Sequence, residues 1–224
     1  MIHSDAGVYI LHQQEGNSDV ILILYVDDIL IMGNDKKLII NLKKTLSSQQ
    51  FQMKDLGPVQ SYLGMRITRN RQKRLLWLDQ VSYIDNALKR FNLSNAKSTC
   101  SPLPGNVHLE KGEEISTAEN RTLYQQMIGT LLYAALGTRP DIAYAVTRLS
   151  RYNQNPLAEH INYAKYVLKY LVGTKDLRIC HDGSSNAGLI GYSDSDWAED
   201  RDDCHATSGH VFTMANTAIS WVSR

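Results

Sequence analysis

The sequence predicts an α+β fold, with antiparallel strands near both ends of the chain and helices in the middle. Short runs of Ile, Leu and Val separated by polar turns occur near both termini, and such runs are typical of strands. Between them, apolar residues recur every three to four positions, as in amphipathic helices. The 224 residues are enough for one large domain or two small ones.

Composition and charge narrow the classes of protein. The net charge of +1 leaves no overall basic footprint, so any surface for nucleic acid must be local. Cys100, Cys180 and Cys204 are odd in number and far apart, which argues against a disulfide scaffold and fits a reducing compartment. We expect no secretion signal and no membrane partner, because no apolar run approaches the ~18 to 20 residues of a membrane helix.

The first strands surround two adjacent carboxylates. Val8–His12, Val20–Val26 and Ile29–Met32 are predicted strands, and Asp27 and Asp28 fall between the second and the third. Carboxylates in such apolar sequence need a partner or a metal, and neighbouring strand residues point to opposite faces. Both can serve one site only at a tight turn, where they could bind Mg²⁺. The alternative is an ordinary hairpin turn, in which Asp is common.

A basic segment follows. A helix is predicted from the cap Asp35 to about Gln50, then a turn at Gly57-Pro58 and a strand over Ser61–Ile67. The next seven residues, up to a short strand at 75–78, contain four cations. They form either a solvated hairpin tip or a contact for the phosphates of a nucleic-acid duplex. In the second interpretation, the residues that contact phosphate are Arg66, Arg69, Arg71, Lys73 and Arg74.

Four further helices are predicted in the middle of the chain. Apolar stripes mark Ser82–Phe91, Arg121–Leu136 and Asp141–Tyr152, and a fourth helix begins at Asn155-Pro156 and is stopped by Gly173. Between the first two, residues 92–116 form a linker rich in Pro and Gly that marks a subdomain boundary. These stripes indicate core packing.

The end of the chain changes to strand periodicity. Gly188–Ala198, Thr207–Met214 and Ala218–Val222 predict an antiparallel meander, with Asp194 and Asp196 on one face of its first strand. An α/β phosphatase built on this Asp pair is disfavoured, since only strands follow. The neighbouring residues 204 and 205 are a Cys-His pair without further ligands, so a plain turn is the better interpretation.

Taken in order, the motifs resemble those of the reverse transcriptase and ribonuclease H region of copia-type LTR retrotransposon Pol polyproteins. The family's YVDD box matches Tyr25–Asp28. Its other boxes match Met53–Gly57 (MKDLG), Tyr62–Gly64 (YLG), Thr138–Ile142 (TRPDI), Tyr170–Thr174 (YLxGT), Asp194–Ala198, Thr207–Gly209 and Ile219–Trp221. The sequence departs from the family at residues 203–206, where a basic residue and Ser ordinarily precede Thr-Ser-Gly.

The resemblance implies three parts. Residues 1–78 would be the second half of the polymerase palm, 79–176 a helical thumb and connection, and 177–224 the N-terminal half of a ribonuclease H-like sheet. Asp27 and Asp28 would hold Mg²⁺ (or Mn²⁺) for nucleotide transfer, and Asp194 would be the first ribonuclease H carboxylate. Tyr62 and Gly64 would belong to the primer-gripping strand. The alternative for Gly64 is a bulge or a close backbone contact.

The resemblance also implies partners and a limitation. The parent protein would bind an RNA template, a DNA primer, the RNA–DNA hybrid, dNTP and other Pol segments, in cytoplasmic virus-like particles or in the nucleus. The third palm carboxylate, the fingers and the later ribonuclease H carboxylates are not found in these 224 residues. We therefore expect a fragment that is inactive alone. The alternative is a non-catalytic nucleic-acid-binding remnant.

Overall fold

The computed structural model describes residues 5–13, 18–48, 53–105, 107, 109–112, 114–195 and 206–224. The chain divides into two compact units, Met1–Tyr62 and Leu63–Arg224. Both are mixed: each contains antiparallel strands and helix, as the sequence predicts.

The first unit contains an antiparallel sheet of three strands in chain order. These are β1 (Val8–Gln13), β2 (Ser18–Tyr25) and β3 (Asp28–Gly33), and the unit ends with the two-residue strand β4 (Ser61–Tyr62). The predicted tight hairpin is confirmed, because the β2–β3 ladder runs without a shift from Val20 opposite Gly33 to Tyr25 opposite Asp28.

A single helix, α1 (Lys36–Ser48), follows this sheet. The predicted cap is confirmed: the Asp35 carboxylate accepts the N–H of Lys37 at 2.7 Å. The helix packs near Gly33, where a Cβ would lie 3.1 Å from Val20 and 3.5 Å from Ile39. Val20, at 1% exposure, is the one fully buried apolar side chain among the described residues of the first unit.

The loop after α1 is organised by Asp55. Its Oδ1 accepts the N–H of Gly57 at 2.9 Å, and both carboxylate oxygens lie 3.0 Å from Lys43 Nζ. The bond from Gly57 and the Lys43 ammonium hold the pKa of Asp55 below its ordinary value. Gly57 has a φ of 75°, so the predicted Gly57-Pro58 turn is an extension of a turn that Asp55 begins.

The second unit begins with a turn where a continuous strand was predicted. Ser61–Ile67 was expected to form one strand, but Leu63 (φ 47°) and Gly64 (φ 71°) turn the backbone before β5 (Met65–Asn70). Two left-handed residues in succession cannot continue a strand. After this turn, β5 pairs with β6 (Leu75–Asp79), which pairs with β7 (Ile179–Asp182), all antiparallel.

The helices form the core of the second unit. They are α2 (Val81–Arg90), α3 (Ala118–Gly137), α4 (Ala143–Ser150), which a 3₁₀ turn at Pro140–Ile142 precedes, and α5 (Ala158–Thr174). The predicted stripes meet there. The fully buried members of the cluster include Ile84, Met127, Leu131, Ile142, Leu149, Val167 and Leu168.

Both predicted ends of α5 are wrong, and the reason is the linker. Asn155 does not cap the helix, because its side chain accepts the N–H of Ser116 at 2.8 Å and donates to the Glu114 carbonyl at 2.9 Å. The first turn is instead closed by His160, whose Nδ1 accepts the Leu157 N–H at 2.9 Å. Gly173 lies inside the last turn, where a Cβ would meet Ser98 of the linker at 2.8 Å.

The last sheet is the predicted meander. It consists of β8 (Ile190–Ser195), β9 (Ser208–Met214) and β10 (Thr217–Ser223), with β9 in the centre. Trp221 Nε1 donates to the Ala135 carbonyl of α3 at 2.8 Å, and the Thr217 hydroxyl donates to the Cys180 carbonyl of β7. The sheet is thereby attached to the helical core.

Two predictions remain, one for residues 196–205 and one for membrane-spanning segments. Asp196, Cys204 and His205 lie outside the described residues. Among the helices that the structure describes, none is long and apolar enough to cross a bilayer.

Candidate active site

The two adjacent carboxylates lie at the end of the β2–β3 hairpin. Tyr25 ends β2, Asp28 begins β3, and Val26 and Asp27 form the turn between them. Val26 has a φ of 55° and is 84% exposed, which is unusual for a β-branched residue. A two-residue turn that follows the twist of its strands requires positive φ at its first position. The hairpin therefore imposes this conformation on Val26.

Both carboxylates are accessible at this tip. Asp27 and Asp28 are exposed, and their hard oxygen atoms are the donors that Mg²⁺ and Mn²⁺ prefer. The chemistry of the donors fits such an ion, but their number is small. Within the part of the chain that the structure describes, no group of three or more His, Cys, Asp or Glu side chains could hold a metal ion.

Tyr62, at the end of the first unit, comes close to this tip. Burial raises the pKa of its hydroxyl, and the negative charge of Asp28 raises it further. The hydroxyl oxygen is shielded from solvent and has no hydrogen-bond partner among the described residues. Buried hydroxyl groups without a partner are uncommon in folded proteins. The structure thus brings two residues together that were predicted separately.

The predicted basic segment forms the turn between β5 and β6. Arg69 is exposed near the end of β5, and Arg71 and Lys73 are exposed in the turn, which the Asn70 side chain closes by accepting the Lys73 N–H at 2.9 Å. We call Arg69, Arg71 and Lys73 the basic tip. Among the described residues none of the three side chains is paired with a carboxylate, so all three can contact phosphate.

The other two predicted cations are already engaged. Arg66 makes a two-point contact with Asp79: Nε lies 3.0 Å from Oδ1 and Nη2 lies 3.0 Å from Oδ2. Asp79 is 1% exposed and also accepts the Val81 N–H that begins α2, so Arg66 stabilises the fold. The Arg74 guanidinium is near Asp182 and contributes, after two bonds from Ser184, to lowering the pKa of that carboxyl.

Asp194 belongs to the second unit. It lies on β8 opposite Gly209, and its Oδ1 accepts the N–H of Ser195 at 2.9 Å. An open depression of about 480 Å³ surrounds it, with His210 and Arg224 also in the lining. The carboxylate is exposed, as a metal ligand or a general base would need to be.

Comparison of the sequence with known proteins shows the family to which the chain belongs. The family described as Reverse transcriptase (RNA-dependent DNA polymerase) matches residues 1–104. The chain is 45% identical to the retrovirus-related Pol polyprotein from transposon TNT 1-94 of Nicotiana tabacum, over 99% of its own length. It is also 30% identical to the putative transposon Ty5-1 protein of Saccharomyces cerevisiae, covering 69% of that protein. The chain belongs to the copia-type retrotransposon Pol family.

The similarity is to one part of the long Pol polyproteins. The chain spans 17% of the tobacco relative and 15% of the Pol polyprotein from transposon RE1 of Arabidopsis thaliana, to which it is 38% identical. No solved structure matches the chain. The family assignment predicted from the ordered motifs is confirmed.

Sequence reasoning missed the role of a buried arginine in this Pol segment. Arg139, at 1% exposure, donates from Nε and Nη2 to the two Asp141 oxygens at 2.9 and 2.7 Å. It also donates to the Thr174 carbonyl at 3.0 Å and to the Thr174 hydroxyl at 2.7 Å. Tyr170 donates to Asp141 at 2.9 Å, and the Arg139 guanidinium lies 5.6 Å from the centre of the Tyr170 ring.

These contacts join two of the family's motifs. Arg139 and Asp141 belong to the TRPDI box, and Tyr170 and Thr174 belong to the YLxGT box at the end of α5. The guanidinium satisfies a helix-terminal carbonyl that has no partner within its helix. The signal in the sequence was a charged residue directly before Pro140, but its partner lies 35 positions away.

Proposed function

We propose that the chain is the part of a copia-type Pol polyprotein that carries the second half of the reverse transcriptase palm (1–78), the thumb and connection (79–176) and the first part of ribonuclease H (177–224). The whole protein would synthesise DNA on an RNA template and cleave RNA in RNA–DNA hybrids. The observation that supports this best is the two-residue turn that places Asp27 and Asp28 on one exposed tip.

In this proposal Asp27 and Asp28 hold Mg²⁺ or Mn²⁺ beside the primer end and the incoming dNTP. A bound ion supplies positive charge that stabilises the phosphate undergoing transfer. The two carboxylates alone would hold it weakly, because preorganised charge requires a fixed set of ligands. We therefore infer that the 224-residue chain is inactive by itself and is completed by other Pol segments.

The remaining residues would bind and orient nucleic acid. Tyr62, close to Asp28, would contact the primer, and the basic tip would contact phosphates of the template–primer duplex. Asp194 would serve the ribonuclease H reaction from its exposed strand. The place of action would be cytoplasmic virus-like particles or the nucleus, where the element is copied.

Complementation tests this function. The purified chain should not extend oligo-dT on poly-rA with Mg²⁺ or Mn²⁺, whereas addition of the preceding Pol segment of the tobacco relative should restore extension. Asp27→Asn should abolish the restored activity, since an amide is a poorer metal ligand than a carboxylate. Glu114→Gln, at an exposed residue, is the control and should leave activity unchanged. Extension by the unaided chain that is lost in Asp27→Asn would contradict the proposal.

A second candidate is a non-catalytic nucleic-acid-binding protein. The observation that favours it is the basic tip, which is exposed and has no carboxylate partner among the described residues. Each phosphate contact contributes about 0.9 to the slope of log affinity against log salt concentration. Changing all three residues to Glu should therefore reduce the slope by roughly 2 to 3.

The matched control changes three lysines of α1 instead. Lys36, Lys37 and Lys44 are exposed, and their replacement by Glu alters the net charge by the same amount. A slope that falls equally in both triple variants would show that only overall charge matters. Binding through the basic tip without any complementation of polymerase activity would favour the second candidate over the first.

A further inference from the structure

The second unit begins with an unusual turn. Leu63 has a φ of 47° and Gly64 a φ of 71°, and β5 starts at the next residue. L-residues other than Asn and Asp rarely adopt this left-handed region, because the Cβ crowds the backbone. A leucine there needs a contact that holds it in place.

That contact is made by Tyr133 of α3. Its hydroxyl donates to the carbonyl oxygen of Leu63. A Cβ on Gly64 would lie only 2.7 Å from the Tyr133 hydroxyl oxygen and 3.5 Å from the nearest ring carbon. The Tyr133 hydroxyl thus occupies the volume that any larger residue at position 64 would need. Packing within the second unit is therefore enough to require a glycine at this position.

Tyr133 is itself held on the helical core. Its ring centre lies 4.7 Å from that of Tyr83 at an angle of 51°, a tilted arrangement that aromatic pairs favour. Tyr83 donates in turn to the Thr130 carbonyl of α3 at 3.1 Å. The aromatic pair therefore presents the Tyr133 hydroxyl to the turn from a fixed position.

We propose that Tyr133 is a positioning residue: its hydroxyl fixes the Leu63-Gly64 turn, which directly follows Tyr62 in the chain. The effect on the turn is independent of any ligand. The consequence for the primer rests on the proposed function, because it requires Tyr62 to contact the primer end. Tyr133 does not itself touch the reacting atoms.

The first experiment concerns the turn alone. Tyr133→Phe keeps the ring and removes the hydroxyl, so the carbonyl carbon resonance of Leu63 should move. Tyr144→Phe is the matched control, because Tyr144 is 42% exposed against 40% for Tyr133 and its hydroxyl also has a hydrogen-bond partner. The control should leave that resonance in place.

A double-mutant cycle supplies the second measurement. Gly64→Ala should lower the urea midpoint less in the Tyr133→Phe background than in the wild-type background. The strain of a left-handed alanine is common to both backgrounds and cancels, so the difference reports the contact with the hydroxyl. An unmoved Leu63 resonance together with an equal loss in both backgrounds would overturn the proposal.

The last experiment concerns the primer. With a fluorescent base analogue at the primer 3′ end of an RNA–DNA hybrid, Tyr133→Phe should change the fluorescence of the bound end and leave overall affinity unchanged. If the wild-type chain binds no hybrid, the proposed function fails and the turn experiments alone decide the role of Tyr133. If it binds and the signal does not change, the link to the primer is wrong while the proposed function stands.

Discussion

Arg139→Ala should lower the free energy of unfolding of the second unit by about 3 kcal/mol. The guanidinium is fully buried and makes four hydrogen bonds, two of them to the Asp141 carboxylate and two to Thr174. Removing one partner of a buried ion pair destabilises a protein by about 3–5 kcal/mol. We expect the lower end of this range because the Asp141 side chain is 31% exposed and can gain water.

Urea unfolding followed by tryptophan fluorescence measures this effect in the right part of the chain. Trp77, Trp197 and Trp221 all follow Tyr62, so the signal reports the second unit. With a denaturant dependence of about 2 kcal/mol per molar urea, a loss of about 3 kcal/mol lowers the midpoint by about 1.5 M. Arg139→Lys should lose less, because it keeps the charge but not the two-point contact.

The control removes an exposed arginine. Arg71→Ala, in the basic tip, should change the free energy of unfolding by no more than about 0.5 kcal/mol, as is usual for surface positions. If Arg139→Ala shifts the midpoint no further than Arg71→Ala, the guanidinium does not stabilise the junction of the two motifs. The structural explanation given for the TRPDI and YLxGT boxes would then be wrong.

Two other outcomes are expected. Titrated Mn²⁺ should broaden the resonances of Asp27 and Asp28 more than those of the exposed control Glu114, and equal broadening would count against a metal site at the hairpin tip. Burial lowers the pKa of His181. As the pH falls, the imidazole therefore takes up a proton in the unfolded chain before it does so in the folded chain, and the free energy of unfolding should decrease below about pH 6.5. His181→Gln should weaken this pH dependence of the urea midpoint, whereas His12→Gln, at an exposed position of the first unit, should not; an identical pH dependence in wild type and His181→Gln would refute the assignment.

The sequence predicted elements well where the pattern was local. Short apolar runs on either side of two adjacent carboxylates were enough for the β2–β3 hairpin. Period-two alternation was enough for the final meander, and the Asp35 cap followed from its position before a helical stripe. The carboxylate pair could be located for the same reason. Adjacent residues share a site only at a tight turn, so the apolar strands on either side fixed its place.

The errors arose where distant residues decide local conformation. Ser61–Ile67 has strand composition, and nothing within it shows that Tyr133 holds Leu63 in a left-handed conformation. Asn155 is of a residue type that is common at helix N-caps, but its side chain forms hydrogen bonds with the linker instead. The five predicted phosphate-binding cations were likewise treated as equivalent. The sequence alone does not reveal that one of them, Arg66, is already paired with the buried Asp79.

Buried apolar side chains are unevenly distributed between the two units, and this affects the life of the chain in a cell. Nearly all of them lie in the helical cluster, whereas Val20 alone is fully buried in the described part of the first unit. The β1 strand there lies at a sheet edge and exposes Tyr9, Ile10 and Leu11. Exposed apolar edges pair with other chains during synthesis. The three-stranded sheet that carries the two carboxylates is therefore the part of the chain where we expect pairing with other chains to begin.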